Sequence, residues 1–400
     1  MSNYQATGLS WHLWRPSVVV DEATTPNHSA YNPRGSYVAD ITQRVSDYQH
    51  THALFGGFDA ASFSIIAARD ELETWWETGP GLHLEVVDET GVIAWEGFVN
   101  ALEIALEALT VQRGPLTDVA NQLWVAYQPY DTSTNPPTHG ASQILAALEG
   151  VSSQRRYGIW PEYLNLNAGT AALALQVANI HLLDNEYPRI SQNVNLGGGG
   201  SDPRITFDCR GYSHMLTGTY FNSATGTVGA STKLAAILNW ENAYANGLFS
   251  SANASITANL TALPACETEY LDMRSQIMEI VSVGDAAYNR YVFLVEEGRK
   301  VTYKPIPSTT RYRMALSSSD QQVQTFEGET VRPWNVRAGE WLIFTDWLAA
   351  SSPPSDRRID PRYMLIERAT YTAPYNVALD GGRSGRIDQR MAQFGLAGQE

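Results

Sequence analysis

Cysteine is almost absent: 400 residues contain two, Cys209 and Cys266, and neither lies in a CxxC pair. That excludes a disulfide framework, and both cysteines read as small buried hydrophobes. Basic charge is also short, with 27 Lys and Arg against 42 Asp and Glu and a net charge of −15. Such a surface repels phosphate, so nucleic acid is not an expected ligand, although an acidic wall lets DNA slide past without adhering. No apolar run approaches the roughly 18 residues that a membrane span requires. Residues 1–10 are polar and 18–20 are too few for a signal core, which leads to the expectation of a chain made and kept soluble.

Catalytic signatures are missing as well. There is no HExxH, calcium loop or Cys/His ligand cluster. The tetraglycine 197–200 is followed by Ser201, Asp202 and Pro203, where a phosphate loop needs Gly-Lys-Ser/Thr, so it reads as a linker or hairpin tip. Gly211-Tyr212-Ser213-His214-Met215 begins like a nucleophile elbow but closes on Met in place of the second glycine. The carboxylate pairs Asp88/Glu89 and Glu296/Glu297 sit in hairpin turns, where acidic residues are routine. His50 and His52 flank Thr51 in a spacing that can put two imidazoles on one side of a metal, yet no third ligand is near in sequence, and they read as surface histidines. No catalytic, cofactor-binding or metal-ligating residue is assigned, no cofactor is expected, and the chain is not expected to be an enzyme.

What is present is a globular composition, 44% hydrophobic and 17% charged, in a chain long enough for two or three domains. Residues 55–109 hold a whole packing unit. An apolar run at 63–67 leads into a helix over 70–77, with acidic residues in its first turn and Gly79-Pro80-Gly81 as its stop. Leu82, Leu84 and Val86 then alternate with His83 and Glu85, residues 88–91 supply turn chemistry, and 92–99 run back as a second strand. Residues 102–109 combine strong helix formers with strand-like alternation; a third strand is favoured because it covers the open edge of the hairpin. Residues 1–54 read as an extended arm of short strands.

An apparent internal repeat follows. Residues 109–128 and then 140–148 resemble residues 205–221 and then 229–238: in each, a β-rich run turns at Arg-Gly (Arg113-Gly114, Arg210-Gly211) and ends in a GAS helix. Ser142 and Ser231 are the expected N-caps, with Leu145/Leu148 and Leu234/Ile237 facing the core. Further on, 272–283 predicts a helix and 291–303 a hairpin. Residues 339–346 echo 81–88, both running from Gly to Asp with an apolar strand to follow. The 11 Trp and 20 Tyr lie mainly within strand patterns, which assigns them to core or subunit interface ahead of a sugar platform.

The pattern of Gly56-Gly57-Phe58, Ser62-Phe63-Ser64, Leu72 to Trp76, Gly81, Val86 to Asp88, Gly91 and Trp95 to Val99 resembles tail proteins of tailed bacteriophages, in particular the first barrel of baseplate hub or tail-tip proteins. The 284–299 hairpin and Arg337 to Trp341 look like the later part of the same family. The resemblance implies an α+β, predominantly β chain with two tube-like split-barrel modules, each with a flanking helix, separated by a mixed α/β middle region. The corresponding boundaries are 1–113, 114–250 (with the repeat, and open to interleaving with the barrels) and 251–400. It further implies a structural virion protein, assembled in the host cytoplasm, whose three copies form a ring capping the tail tube. Its partners would be the tube or distal tail protein, the tape-measure protein, and spike or fibre proteins, with DNA passing through the lumen. Trp75, Trp76, Trp95, Phe98, Trp341 and Trp347 are the expected subunit-interface residues. A hexameric distal tail adaptor or tube protein is the nearer alternative, and a glycan-binding or glycan-hydrolysing β-protein the more distant one.

Overall fold

The computed structural model describes residues 8–382 except 25, 132, 134, 137, 195–202, 219, 221–225, 266–271, 317–321, 347–361 and 375. The fold is α+β and predominantly β, 47% strand and 22% helix, with five helices among the described residues. No described helix is long and apolar enough to cross a membrane.

The expected N-terminal arm is instead a long antiparallel hairpin of β1 (Leu9–Asp21) and β2 (His28–Asp40). Pro16 and Pro33 both fall where the register jumps from Arg15↔Ser36 to Ser17↔Asn32. A missing N–H there costs no ladder bond, which is how two prolines fit into long strands. Then come β3 (Val45–Ala53), β4 (Phe55–Ile66), helix α1 (Arg69–Thr78), β5 (His83–Asp88), β6 (Ile93–Leu106) and β7 (Leu109–Arg113). Strand, helix and hairpin stand where the sequence places them. The two strands expected at 92–99 and 102–109 are one long strand, β6, and a turn at Glu107 (φ 53) leads into β7. Burial of Leu102 and Ile104 on one side of β6 outweighs the helix propensity of its neighbours.

Around the main core the ladders run β2–β1–β5–β6, then the strand Arg204–Arg210, then β4 and β3. Phe207 pairs with Leu102 on one side and Phe63 on the other. Trp11, Tyr48, Phe63, Trp95 and Phe207 fill the interior, where each large ring contributes on the order of 2–3 kcal/mol by leaving water. Trp75 of α1 meets Phe207 edge-on, with centroids 5.6 Å apart. The corner after β2 closes on β1: Ile41 N–H donates to Trp11 O, and Trp11 N–H to Thr42 Oγ1, each at 3.0 Å. Because β3 pairs with neither β2 nor β1, no closed barrel forms among the described residues. A strand from beyond residue 113 completes this sheet, so the first unit is interleaved with the middle region.

Gly211 ends that inserted strand against the backbone of β4. A Cβ there would lie 1.7 Å from Phe58 O. Gly211→Ala is therefore expected to cost about 3 kcal/mol of stability, read as a lowered urea midpoint; an unchanged midpoint would show that β4 yields freely.

In the middle region, β8 (Gln122–Tyr127) pairs antiparallel with Gln143–Ile144 and Leu148–Glu149, and parallel with Pro161–Leu166. The helix expected at 140–148 with Ser142 as its cap is thus absent. A helix of nine residues is marginal alone, and pairing with β8 satisfies this backbone instead. The second GAS stretch does form a helix, Ala230–Tyr244, with Leu234 and Ile237 buried. Its N-cap is Gly229 and not Ser231, whose hydroxyl bonds Asn259 O (3.1 Å) and accepts from Asn259 N–H (3.0 Å). What survives of the repeat is its first half. Strands β7 and Arg204–Arg210 both pair with β6, and each passes through glycine into a short 3-10 turn, Leu116–Asp118 or Tyr212–Met215. Two helices, Val151–Tyr157 and Ala171–Asn185, lack any counterpart in the sequence reading.

The expected helix Met273–Val283 is capped by Asp272, which accepts from Ser275 N–H at 2.9 Å. It shares a core with Ala230–Tyr244 and with the hairpin of Tyr291–Glu296 and Lys300–Pro305. The remaining strands form an open sheet in which Trp341–Phe344 lies parallel to Thr310–Met314 and antiparallel to Tyr363–Thr372. The echo of β5 is therefore partial: both strands pair antiparallel with their successor, but β5 has antiparallel β1 on its other side. No α-helix flanks this second sheet among the described residues 297–382. It joins the first through Tyr363–Thr372 against β3.

Candidate assembly surface

The helix Ala171–Asn185 (AALALQVANIHLLDN) is apolar nearly all round. Its start is fixed by Thr170, whose Oγ1 accepts from Leu173 N–H at 3.2 Å. Ala174, Ala178 and Leu182, spaced by four, face inward, Ala178 and Leu182 beside Leu123 and Val125 and Ala174 beside Tyr127 and Ala168. On the opposite side Leu173, Val177, Ile180 and Leu183 are 48%, 41%, 54% and 72% exposed. Their spacing of three and four residues makes a continuous seam, the kind that packs against another helix. A helix apolar on both sides is at home only when both are covered.

Directly after it comes the strand Ile190–Val194, which pairs with β7 along one edge only. All five of its residues are exposed, and no other described strand pairs with its second edge. A free edge of this kind is a template for a further strand. Helix seam and strand edge thus present two different modes of attachment within residues 171–194.

The aromatic residues expected at subunit interfaces lie elsewhere. Trp95 and Phe98 are wholly buried, and Trp75 and Trp341 nearly so, within the chain's own cores. A partner's surface does not reach them, and the interface assignment is corrected for these four. Trp76 is half-buried; the Arg113 guanidinium lies 5.7 Å from its ring and donates to Trp76 O at 2.6 Å. Trp347 lies outside the described residues. Aromatic enrichment marks cores and interfaces alike, so it did not separate the two. The discriminating signal was in residues 171–185, where two apolar stripes share one helix.

The histidines of β3 are not surface residues either. His50 is pushed down to about 3 by burial, helped by the charge of Arg337. Its Nδ1 and the Tyr48 hydroxyl are 2.9 Å apart. Ala338 N–H donates to His52 Nδ1 at 3.2 Å, so Nε2 carries the proton and donates to Glu296 Oε1 at 3.0 Å. Burial lowers the His52 pKa, against the opposing pull of the Glu296 hydrogen bond. Burial alone would raise Glu296, but the His52 hydrogen bond and the charges of Arg337 and Lys304 prevail and hold it at about 2. Together these contacts fasten β3 to residues 334–338 and to Tyr371.

Nor does the partial elbow form a nucleophile. Ser213 is fully buried and its Oγ finds no hydrogen-bond partner. His214 Nε2 instead lies 2.8 Å from Asp59 Oδ1, and Arg274 donates to its Nδ1 at 2.6 Å. The imidazole has no free nitrogen with which to activate a hydroxyl.

Among known proteins, no family model matches the chain and no curated sequence is significantly similar to it.

Proposed function

We propose that this chain is a structural virion protein, a baseplate hub or tail-tip protein of a bacteriophage tail, that works by assembling and not by catalysis. The observation that carries this reading is the outward seam of Leu173, Val177, Ile180 and Leu183 beside the unpaired edge of Ile190–Val194. A ring of identical chains covers both, because a head-to-tail contact that closes leaves neither surface free. The strand–helix–hairpin unit that resembles the first barrel of the hub family lends support. So does the placement of tryptophan: none of the described tryptophans is among the strongly exposed hydrophobics, which disfavours an open sugar platform.

In this reading three chains form the ring, the tail tube or distal tail protein and the tape-measure protein adjoin one face, and spike or fibre proteins adjoin the other. The net charge of −15 suits a lumen that passes DNA without binding it. Electron microscopy of the purified chain, with its mass in solution, tests the proposal. A three-fold ring is expected. A six-fold ring would assign the chain to the distal adaptor class instead, and a monomer at every concentration would sink the assembly reading.

A further inference from the structure

The hairpin of β5 and β6 carries an arrangement that its packing role does not require. Glu85 and Glu96 are direct cross-strand partners, and His83 stands two residues before Glu85. All three side chains are buried, at 0%, 4% and 2% exposure for His83, Glu85 and Glu96. Like charges placed opposite each other on a sheet repel, and burial strengthens the repulsion.

The hydrogen bonds sharpen the problem. His83 Nδ1 lies 3.0 Å from Gly97 O, and in the tautomer with the proton on Nδ1 it donates to that carbonyl. The Tyr212 hydroxyl, 2.7 Å from the same nitrogen, steadies the ring. In that tautomer Nε2 turns a lone pair towards Glu85 Oε1 at 2.7 Å, whereas in the other Tyr212 donates to Nδ1 and Nε2–H donates to Glu85. In the first tautomer a cation fits between the two acceptors. A histidine that ligates through one nitrogen and donates to a backbone carbonyl from the other is the usual metal-bound form. Glu96 Oε1 accepts from Arg299 N–H at 2.9 Å, which holds that carboxylate beside the other two donors.

We propose that His83, Glu85 and Glu96 form a binding site for a divalent first-row transition-metal ion. The donor atoms all lie within 4.8 Å of one another. Bond lengths of about 2.0–2.2 Å to a shared ion put ligands roughly 3–3.5 Å apart, so the 2.7 Å His83–Glu85 pair opens slightly and the wider separations close by on the order of an ångström. One imidazole and two carboxylates suit zinc or manganese and leave a position for water. The competing cation is Arg34, whose Nε bonds Glu85 Oε1 while its side chain is half exposed and free to swing away. Binding would lock the β5–β6 hairpin to the turn at Glu297–Arg299.

The test uses the full chain stripped with EDTA and titrated calorimetrically with ZnCl2 or MnCl2 alone. One ion per chain is expected, together with a raised melting midpoint. Glu96→Gln is expected to weaken binding by about a hundredfold, Arg34→Ala to tighten it by removing the rival cation, and Glu107→Gln, at an exposed turn, to change nothing. Absence of one-to-one binding by either ion would overturn the site. So would Glu96→Gln and Arg34→Ala variants that both bind as the wild type does, and since Arg34 lies at the surface, that arm survives even if a core variant misfolds.

Discussion

The double substitution Ile180→Glu with Leu183→Glu is expected to abolish self-assembly while leaving the chain folded. In the isolated chain both side chains are more than half exposed, 54% and 72%, so the new carboxylates stay in water and cost little. Once the seam is covered, each carboxylate loses its hydration without a partner, a penalty of several kcal/mol. Since about 1.4 kcal/mol is a factor of ten in affinity, two such penalties weaken association by roughly a thousandfold or more. Sedimentation equilibrium reads the assembly and far-ultraviolet circular dichroism reads the fold. Leu182→Glu, on the buried side of the same helix, should instead unfold the middle region. A double variant that assembles as tightly as the wild type would remove the seam from the interface.

Acid is expected to destabilise the protein well before its carboxylates are all protonated. His50 is held at about 3 against an ordinary 6.5, and His52 is also lowered, so the unfolded chain takes up protons that the folded chain refuses. Their contribution is complete above pH 6.5 and is lost as pH falls through the folded value. For His50 alone the full gap is worth about 5 kcal/mol. Glu296, about 2 against 4.5, acts in the same direction at lower pH. Glu241 opposes them. It is fully buried among the backbone N–H groups of Asn246, Leu248 and Phe249, and burial raises it to about 7. Its contribution is complete below pH 4.5 and is lost as pH rises through 7. Urea midpoints measured from pH 8 to pH 3.5 should peak near neutrality and fall steeply below pH 6, with a shallower fall in His50→Gln. A flat profile between pH 7 and pH 4 would contradict the burial of this pair.

The sequence was most legible where structure is local. Helix α1, the hairpin of β5 and β6, the capped helix Met273–Val283 and the Tyr291–Pro305 hairpin all follow from periodicity and turn chemistry over fewer than about twenty residues. Predictions failed where a distant strand decides the outcome. Residues 140–148 look helical by composition and are captured by β8, while Arg204–Arg210 finds its partners far back in β4 and β6. The candidate site was legible in kind but not in place. Aromatic content pointed to interfaces, but Trp95 and Phe98 are spent on the core, and the exposed stripe is aliphatic. His50 and His52 were misplaced for a similar reason: the strand that covers them, Tyr363–Thr372, is more than three hundred residues away.

The inserted strand Arg204–Arg210 also sets the order of events during synthesis. Until residue 210 has left the ribosome, β4 and β6 cannot both be satisfied, and two apolar strands wait with their facing edges bare for about a hundred residues of translation. That is the period in which a nascent chain is most prone to mispair with its neighbours. A fragment ending at Arg113 should accordingly collect in inclusion bodies, whereas one ending after the Tyr212–Met215 turn should keep its first sheet in solution.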